Sequence, residues 1–143
     1  MIDDLNRFLE AQENTFSKAF EEVKKGKKAS HWMWYIFPQI ADLGNSEMSR
    51  FYAIRDIHEA ALYLDHPALG DRLITISRLL LQLKNTTAHE VFGSPDDLKI
   101  RSSMTLFASV KNADPVFQQV LDQYFGGEKD AKTLAIIRQG QSL

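Results

Sequence analysis

The stretch LGDRLITISRLLLQLK, residues 69–84, has the hydrophobic spacing of a helix at the centre of a helical fold. A helix with one buried face repeats its apolar residues every three or four positions. The apolar residues that follow this period are Leu69, Leu73, Ile76, Leu80 and Leu83. Leu79 and Leu81 make the middle of the segment apolar on every side, which predicts deep burial.

The segments on both sides of this helix show the same period. Sustained alternation of apolar and polar residues, with Asn-Gly or Asp-Gly turns, does not occur. We therefore predict an all-α protein, with residues 1–143 forming a single compact domain of about seven or eight helices in an orthogonal bundle. A chain of this length can build its own core without disulfides or metals.

Capping residues indicate where the other helices begin and end. A first helix is predicted from Asp3 or Asp4 to Lys25. Ser30 is a candidate cap for a short helix that ends before Pro38. Further helix starts are expected at Ser46, Asp56, Ser94-Pro95, Asp114-Pro115 and Asp130.

Composition limits the classes of partner. Seventeen Lys and Arg against nineteen Asp and Glu leave a net charge of −2, so no overall positive field attracts nucleic acid or anionic lipid. No apolar run approaches the roughly 18 residues of a membrane span. Cysteine is absent, which fits a reducing compartment. We expect a cytoplasmic protein that binds neither nucleic acid nor membrane.

The common metal and cofactor motifs are also missing. The four histidines form neither an i,i+4 pair nor an HExxH pattern, and no cysteine completes a zinc site. The chain has no G-x-S-x-G, no G-x-x-x-x-G-K and no G-x-G-x-x-G run. We therefore predict no metal and no cofactor.

The first candidate site is the stretch KKGKKASHWMWYIFPQ, residues 24–39. Lys28, Trp32 and Trp34 are predicted to bind a ligand, because aromatic faces bind flat molecules and lysines attract phosphate. His31 supplies a titratable imidazole, and we assign it a catalytic role. A structural alternative stays open, in which the rings belong to the core and the lysines are solvated.

The second candidate site is DDLKIRSSMTLF, residues 96–107. The residues predicted to contact an anion are Lys99, Arg101, Ser102 and Ser103. Asp97 is the candidate catalytic carboxylate, which would steer a water or a developing positive charge. The structural alternative is an intrahelical Asp97–Arg101 ion pair, with the hydroxyls bonded to the preceding turn.

Blocks of this sequence resemble those of domain of unknown function family 1810. The blocks are GKKASHWMWYIFPQIADLGNSEMS, YAIRDIHEAALYLDHPALGDRL, VFGSPDDLKIRSSMTLFA and FGGEKDAKTL, and the resemblance extends from about Phe8 to Leu134. It implies an all-helical bacterial protein without an assigned activity. Some members carry the label calpastatin, which we reject because that inhibitor is disordered and this chain has a dense core. A fainter resemblance, of size and residue usage only, is to small helical proteins that act on NAD and ADP-ribose.

Two hypotheses of function follow. In the first, the two candidate sites meet around one pocket that binds or hydrolyses a phosphorylated or nucleotide-like small molecule. In the second, the Trp-rich segment is a non-catalytic patch for a protein partner or for a homo-oligomer. Whether the protein is an enzyme stays open at this point.

Overall fold

The computed structural model describes residues 5–141, which form ten α-helices joined by short connections. The helices are α1 (Asn6–Glu13), α2 (Phe16–Lys24), α3 (Met33–Ile36), α4 (Glu47–Phe51), α5 (Ile57–Asp65), α6 (Leu69–Gln82), α7 (Ala88–Phe92), α8 (Asp96–Ala108), α9 (Val116–Phe125) and α10 (Ala131–Gln141). These residues contain no strand, so the all-α prediction is confirmed. None of the ten helices is long and apolar enough to span a membrane.

Helices α6 and α8 form the centre of the molecule. Helix α6 packs against α2, α5 and α9, whereas α8 packs against α5, α7, α9 and α10. The apolar face predicted for α6 is buried, with Leu69, Leu73, Ile76 and Leu80 at most 1% exposed. Burial of such side chains contributes about 1.5–3 kcal/mol each, which makes this face a main source of stability.

The predicted number of helices was too small, partly because the first helix is two helices. It ends at Glu13 and resumes at Phe16, so that α1 packs against α3 and α2 packs against α6. Gln12, at the end of α1, is buried. Its amide nitrogen donates to the Tyr35 carbonyl and to the Tyr63 hydroxyl, at 2.8 and 3.0 Å. The predicted start at Asp3 or Asp4 lies outside the described residues.

Some of the predicted cap residues cap the helices that follow them, and one does not. Ser46, Asp56 and Asp130 accept hydrogen bonds from backbone N–H groups of the helices that follow them, as predicted. Ser30 does not cap α3, because its hydroxyl donates to the Glu22 carboxylate at 2.7 Å. Helix α3 ends before Pro38, as predicted.

The loop at residues 37–46 is fastened to the segment that follows α4. Ile40 and Ile54 form an isolated parallel bridge. The Ala41 N–H donates to the Ile54 carbonyl at 2.8 Å, and the Ile54 N–H donates to the Gln39 carbonyl at 2.9 Å. These bonds hold the loop against α4, where it forms a wall of the site described next.

Candidate functional site

The two segments singled out in the sequence meet at one carboxylate. The Asp96 carboxylate accepts from Lys28 Nζ at 2.9 Å on one oxygen and lies 3.4 Å from Lys99 Nζ on the other. Each lysine also lies over an indole ring, Lys28 over Trp32 at 5.3 Å and Lys99 over Trp34 at 5.6 Å. We call these five residues the Asp96 cluster.

Glu22 holds the first segment in place. The carboxylate accepts from the backbone N–H groups of Ala29 and Ser30, the Ser30 hydroxyl and the Trp32 indole N–H, at 2.7–3.0 Å. Burial opposes ionisation of this carboxyl, but the four hydrogen bonds outweigh it and lower the pKa of Glu22 to about 2. These hydrogen bonds therefore hold the turn that carries Lys28.

The inner half of the cluster is structural. Trp32 is completely buried and packs against Phe37 and Phe92. The Lys28 side chain is only 8% exposed, and its backbone N–H donates to the Val91 carbonyl at 2.7 Å. A surface ligand has no access to Trp32, and the two residues instead join the first segment to α7 and α8.

The outer half of the cluster borders a groove. Two adjoining cavities, of about 240 and 230 Å³, share the lining residues Gln39, Gly44 and Ser49. Trp34 lines the first cavity and Lys99 lines the second. We call the pair of cavities the α4–α8 groove, because residues of these two helices contribute to its walls.

The second cavity has a cationic side and one carboxylate that is already engaged. Lys99 and the exposed Lys132 line it together with Asp130. One Asp130 oxygen accepts from the N–H and hydroxyl of Thr133 at 2.9 and 2.6 Å, and the other lies 3.8 Å from Arg101. The lysine charges are therefore only partly balanced by Asp130.

The first cavity has an aromatic wall with an unpaired donor. Trp34 is half-buried, and its indole Nε1 is buried without a hydrogen-bond partner within residues 5–141. Arg50 also lines this cavity, and its guanidinium donates to the Asn45 carbonyl. Asp42, on the same wall, has a backbone φ of 74°, in the left-handed region that Asp tolerates better than most residues.

Only part of the predicted binding set borders the groove. Trp34, Lys99 and Ser102 line it, whereas Lys28 lies behind it. Ser103 is completely buried, so a surface ligand has no access to this hydroxyl. Arg101 points toward Glu128, at 3.3 Å, and toward Asp130. The structure therefore places some of the predicted binding residues on the exposed side of the cluster and others on its buried side.

The two predicted catalytic residues lie away from the groove. His31 is exposed, and the Asp97 carboxylate lies 3.4 Å from Nδ1 of His89. Neither residue lines either cavity. The alternative Asp97–Arg101 ion pair does not form, because each side chain has another partner. The catalytic roles of His31 and Asp97 stay predictions.

The structural alternative for the hydroxyls of α8 holds in part. Ser102 donates to the Leu98 carbonyl at 3.3 Å and Thr105 donates to the Arg101 carbonyl at 2.8 Å, each bonding back to the preceding turn. Ser103 Oγ has no hydrogen-bond partner among the described residues. No group of three or more His, Asp or Glu in residues 5–141 is arranged to hold a metal ion.

Sequence reasoning missed the rest of the groove. Its remaining polar lining residues are Gln39, Asp42, Asn45, Ser49, Arg50, Asp130 and Lys132. Asp130 was predicted only as a helix cap. Lys132 lies at the start of α10, and the other residues lie in the loop at residues 37–46 or on the short helix α4. None of them follows a motif, so the resemblance blocks, which contain all of these residues except Arg50, were the available signal.

Comparisons with known proteins agree with this fold. A family model described as "Protein of unknown function (DUF1810)" matches residues 2–137. Among solved structures, the chain is similar to the crystal structure of the conserved hypothetical protein Rv1873 from Mycobacterium tuberculosis, at 42% sequence identity with a TM-score of 0.93. That match covers 94% of this chain and 96% of the other. None of the curated proteins matches this chain.

Proposed function

The chain belongs to the DUF1810 family of proteins of unknown function, and from this premise we propose that its α4–α8 groove binds a small phosphorylated or nucleotide-like molecule. The observation that carries the proposal is Lys99, whose ammonium lies over the Trp34 ring and lines the adjoining cavity. A cation and an aromatic wall therefore meet at the junction of the two cavities. A ligand with an anionic group attached to a flat ring would complement both, because the anion would pair with the cation and the ring would pack on the aromatic wall.

The second cavity supports the anionic end. Lys99 and Lys132 provide two cations, and Asp130 is already bonded to Thr133 and faces Arg101. A single phosphate would gain charge-assisted hydrogen bonds from either lysine. A polyphosphate would bring additional negative charge close to Asp130, so the balance of charges favours a monophosphate.

The first cavity supports the flat end. The unpaired Trp34 N–H is a donor whose burial without an acceptor costs about 1–3 kcal/mol. A ring nitrogen or carbonyl oxygen of a ligand could accept a hydrogen bond from this N–H and so offset part of this cost. Because the atom is buried, the side chains or loop around it have to move for the ligand to reach it.

The groove supports binding and gives no support for turnover. Within residues 5–141 its lining includes no histidine, and its two carboxylates, Asp42 and Asp130, line different cavities. The groove therefore lacks the histidine or closely paired carboxylates that general acid–base chemistry usually employs. We therefore propose a binding function and assign no reaction.

The test is a titration of the protein with inorganic phosphate, a pentose phosphate and nucleoside monophosphates, followed by amide chemical shifts in NMR spectra. We expect the largest shifts at residues 39–50 and 95–102 and the highest affinity for the nucleotides. Lys99→Met should weaken binding about tenfold, whereas the matched variant Lys18→Met, at an exposed position on α2, should not. Absence of binding by all three classes, or shifts confined to other surfaces, would contradict the proposal.

The alternative function, a protein-interaction patch made of the tryptophans, has less support. Trp32 is completely buried, and the large apolar side chains that are exposed within the described residues 5–141 are Met48, Phe51 and Leu98. An interaction surface would therefore centre on α4 and the start of α8. Sedimentation of the wild type and of Phe51→Ser tests this alternative, which predicts an oligomer that the substitution dissociates.

A further inference from the structure

The shared carboxylate of the Asp96 cluster links a buried lysine to the groove. Lys28 and Lys99 approach different oxygens of Asp96, at 2.9 and 3.4 Å. The closer lysine is 8% exposed and the more distant one is 26% exposed. The two ammonium groups therefore compete for one negative charge, and only Lys99 reaches the groove.

We propose, as an extension of the proposed function, that Lys28 is a positioning residue that sets the affinity of the groove for phosphate without contacting it. Lys28 neutralises Asp96, so that the charge of Lys99 remains available to a ligand. Without Lys28, Asp96 would pair with Lys99 alone, and the ligand would have to compete with that carboxylate. Without Asp96, no carboxylate of the cluster would oppose Lys99.

Lys28 can influence Lys99 without any rearrangement of the Asp96 cluster, because the fold holds its charged groups in place. The Glu22 hydrogen bonds fix the turn that carries Lys28, and the Lys28 N–H is bonded to the Val91 carbonyl. Asp96 lies in the first turn of α8 and Lys99 is three residues later on the same helix. Distances among the three charges are therefore set by the fold. Partly buried charges are screened less by solvent than exposed ones.

The charges of the Asp96 cluster predict that two substitutions change the affinity for phosphate in opposite directions. The wild-type cluster has two cations and one anion. Lys28→Met removes one cation and keeps the apolar stem that packs on Trp32, and Asp96→Asn removes the anion. We expect Lys28→Met to weaken phosphate binding about three- to tenfold at low salt and Asp96→Asn to tighten it by a similar factor. The double variant has the net charge of the wild type and should bind nearly as the wild type does.

If the Asp96 cluster only stabilised the fold, the two single variants would show a different pattern of phosphate affinities. Asp96→Asn leaves Lys28 without its carboxylate and should lower stability. If the cluster served only to hold the fold, both single variants would weaken binding in proportion to their loss of stability. Tighter binding by a less stable protein is an outcome that the structural role does not produce.

The experiment measures the affinity of the full chain for inorganic phosphate by NMR titration at low and high salt, in the wild type, both single variants, the double variant and Lys99→Met. The proposal is supported if Lys28→Met and Asp96→Asn change the affinity in opposite directions and salt reduces both effects. If Asp96→Asn does not fold, near-wild-type binding by the double variant, together with weaker binding by Lys28→Met, supports it. The proposal is overturned if Lys28→Met binds as the wild type does or if both single variants weaken binding.

The same measurements separate this inference from the proposed function. If Lys99→Met loses binding while Lys28→Met does not, the groove binds phosphate and the role of Lys28 is wrong. If the wild type does not bind inorganic phosphate, the same titrations are made with a nucleoside monophosphate, and the proposed function and this inference fail together if neither compound binds.

Discussion

Glu22 is the single residue with the most concentrated set of hydrogen bonds near the site. It accepts four of them from a turn in which Ala29, Ser30 and Trp32 are the donors. The neighbouring Glu21 is exposed and bears the same charge. The pair therefore offers a comparison between a carboxylate that organises a turn and one that is solvated.

Replacing Glu22 by Gln should destabilise the fold at neutral pH by about 1–3 kcal/mol, because an amide cannot accept from all four donors. The matched variant Glu21→Gln should stay within about 0.5 kcal/mol of the wild type. Urea unfolding followed by tryptophan fluorescence measures both. Equal stability of the two variants would show that the Glu22 bonds contribute little.

The same residue predicts a dependence on pH. The folded state lowers the pKa of Glu22 from 4.5 to about 2, so the folded protein keeps this carboxylate ionised where an unfolded chain protonates it. The stabilisation is therefore complete above about pH 5 and is lost as the pH falls from there toward 2. Unfolding free energies measured across this range should fall more steeply for the wild type than for Glu22→Gln. Parallel curves would contradict the assignment.

At the level of elements, helices α5 and α6 approach more closely at Gly70 than a side chain allows. A Cβ at this position would lie 2.0 Å from the Leu64 carbonyl oxygen, which is backbone and cannot rotate away. Gly70→Ala should therefore force the helices apart and cost about 3 kcal/mol or more.

The control for this prediction is Gly140→Ala, because a Cβ there meets nothing within 4 Å. Alanine is favoured over glycine within a helix by about 0.5–1 kcal/mol, so this variant should be as stable as the wild type or slightly more so. Thermal unfolding of both variants measures the difference. A small loss of stability in Gly70→Ala would mean that the two helices can separate at little cost.

Helix α9 also completes the end of α6. The Tyr124 hydroxyl donates to the Leu80 carbonyl at 2.6 Å, and the Gln123 amide donates to the Leu83 carbonyl at 3.1 Å. Leu80 lies in the last turn of α6, where its carbonyl also accepts from the Leu83 N–H at 3.3 Å, and Leu83 directly follows the helix. The side chains of α9 therefore supplement the hydrogen bonding at a helix end, where carbonyls lack the usual intrahelical donors. Partial burial raises the pKa of Tyr124.

Tyr124→Phe should lower the free energy of unfolding by about 1 kcal/mol, because it removes this hydrogen bond and keeps the ring. Tyr35→Phe is a suitable comparison, since the Tyr35 hydroxyl makes a longer bond, 3.4 Å to the His31 carbonyl, and should matter less. Denaturant unfolding distinguishes the two. A larger loss in Tyr35→Phe would reverse the order expected from the distances.

Periodicity predicted the helical class and the buried face of α6, since both depend on local spacing. It did not predict the break after α1, because an apolar stripe continues through Phe16 and Phe20. The break depends on tertiary contacts of Gln12, whose amide oxygen also accepts from Arg72 at 3.2 Å. A bond between residues sixty positions apart leaves no local signal.

At the scale of the whole molecule, the juxtaposition of the two candidate segments was predictable and the shape of the site was not. The Lys28–Asp96 ion pair confirms that the two segments are neighbours. Which side chains face the solvent depends on how the loop at residues 37–46 and the start of α10 cover α8, and neither carries a motif. Trp32 is buried and Trp34 is half-buried, although the two tryptophans are only two positions apart in the sequence.

Gly44 gives a test of the groove as a unit assembled from separate parts of the chain. It lines both cavities, and a Cβ there would lie 2.7 Å from Cβ and Oγ of Ser49. Gly44→Ala should therefore move the loop away from α4 and change the shape of both cavities. The buried core residues Ile40 and Ile54 should keep most of their contacts.

We expect Gly44→Ala to weaken phosphate binding at least about threefold while lowering stability by only about 1 kcal/mol, because the strain falls on a surface loop. Adding Ser49→Gly removes both obstructing atoms, so binding should recover in the double variant even though glycine weakens the short helix α4. Phosphate titrations and urea unfolding of the two variants show whether weaker binding comes from the altered shape of the groove or from lower stability of the protein. If affinity follows stability instead of recovering, the loop does not shape the binding site, and the groove is then a consequence of packing that has no role in recognition.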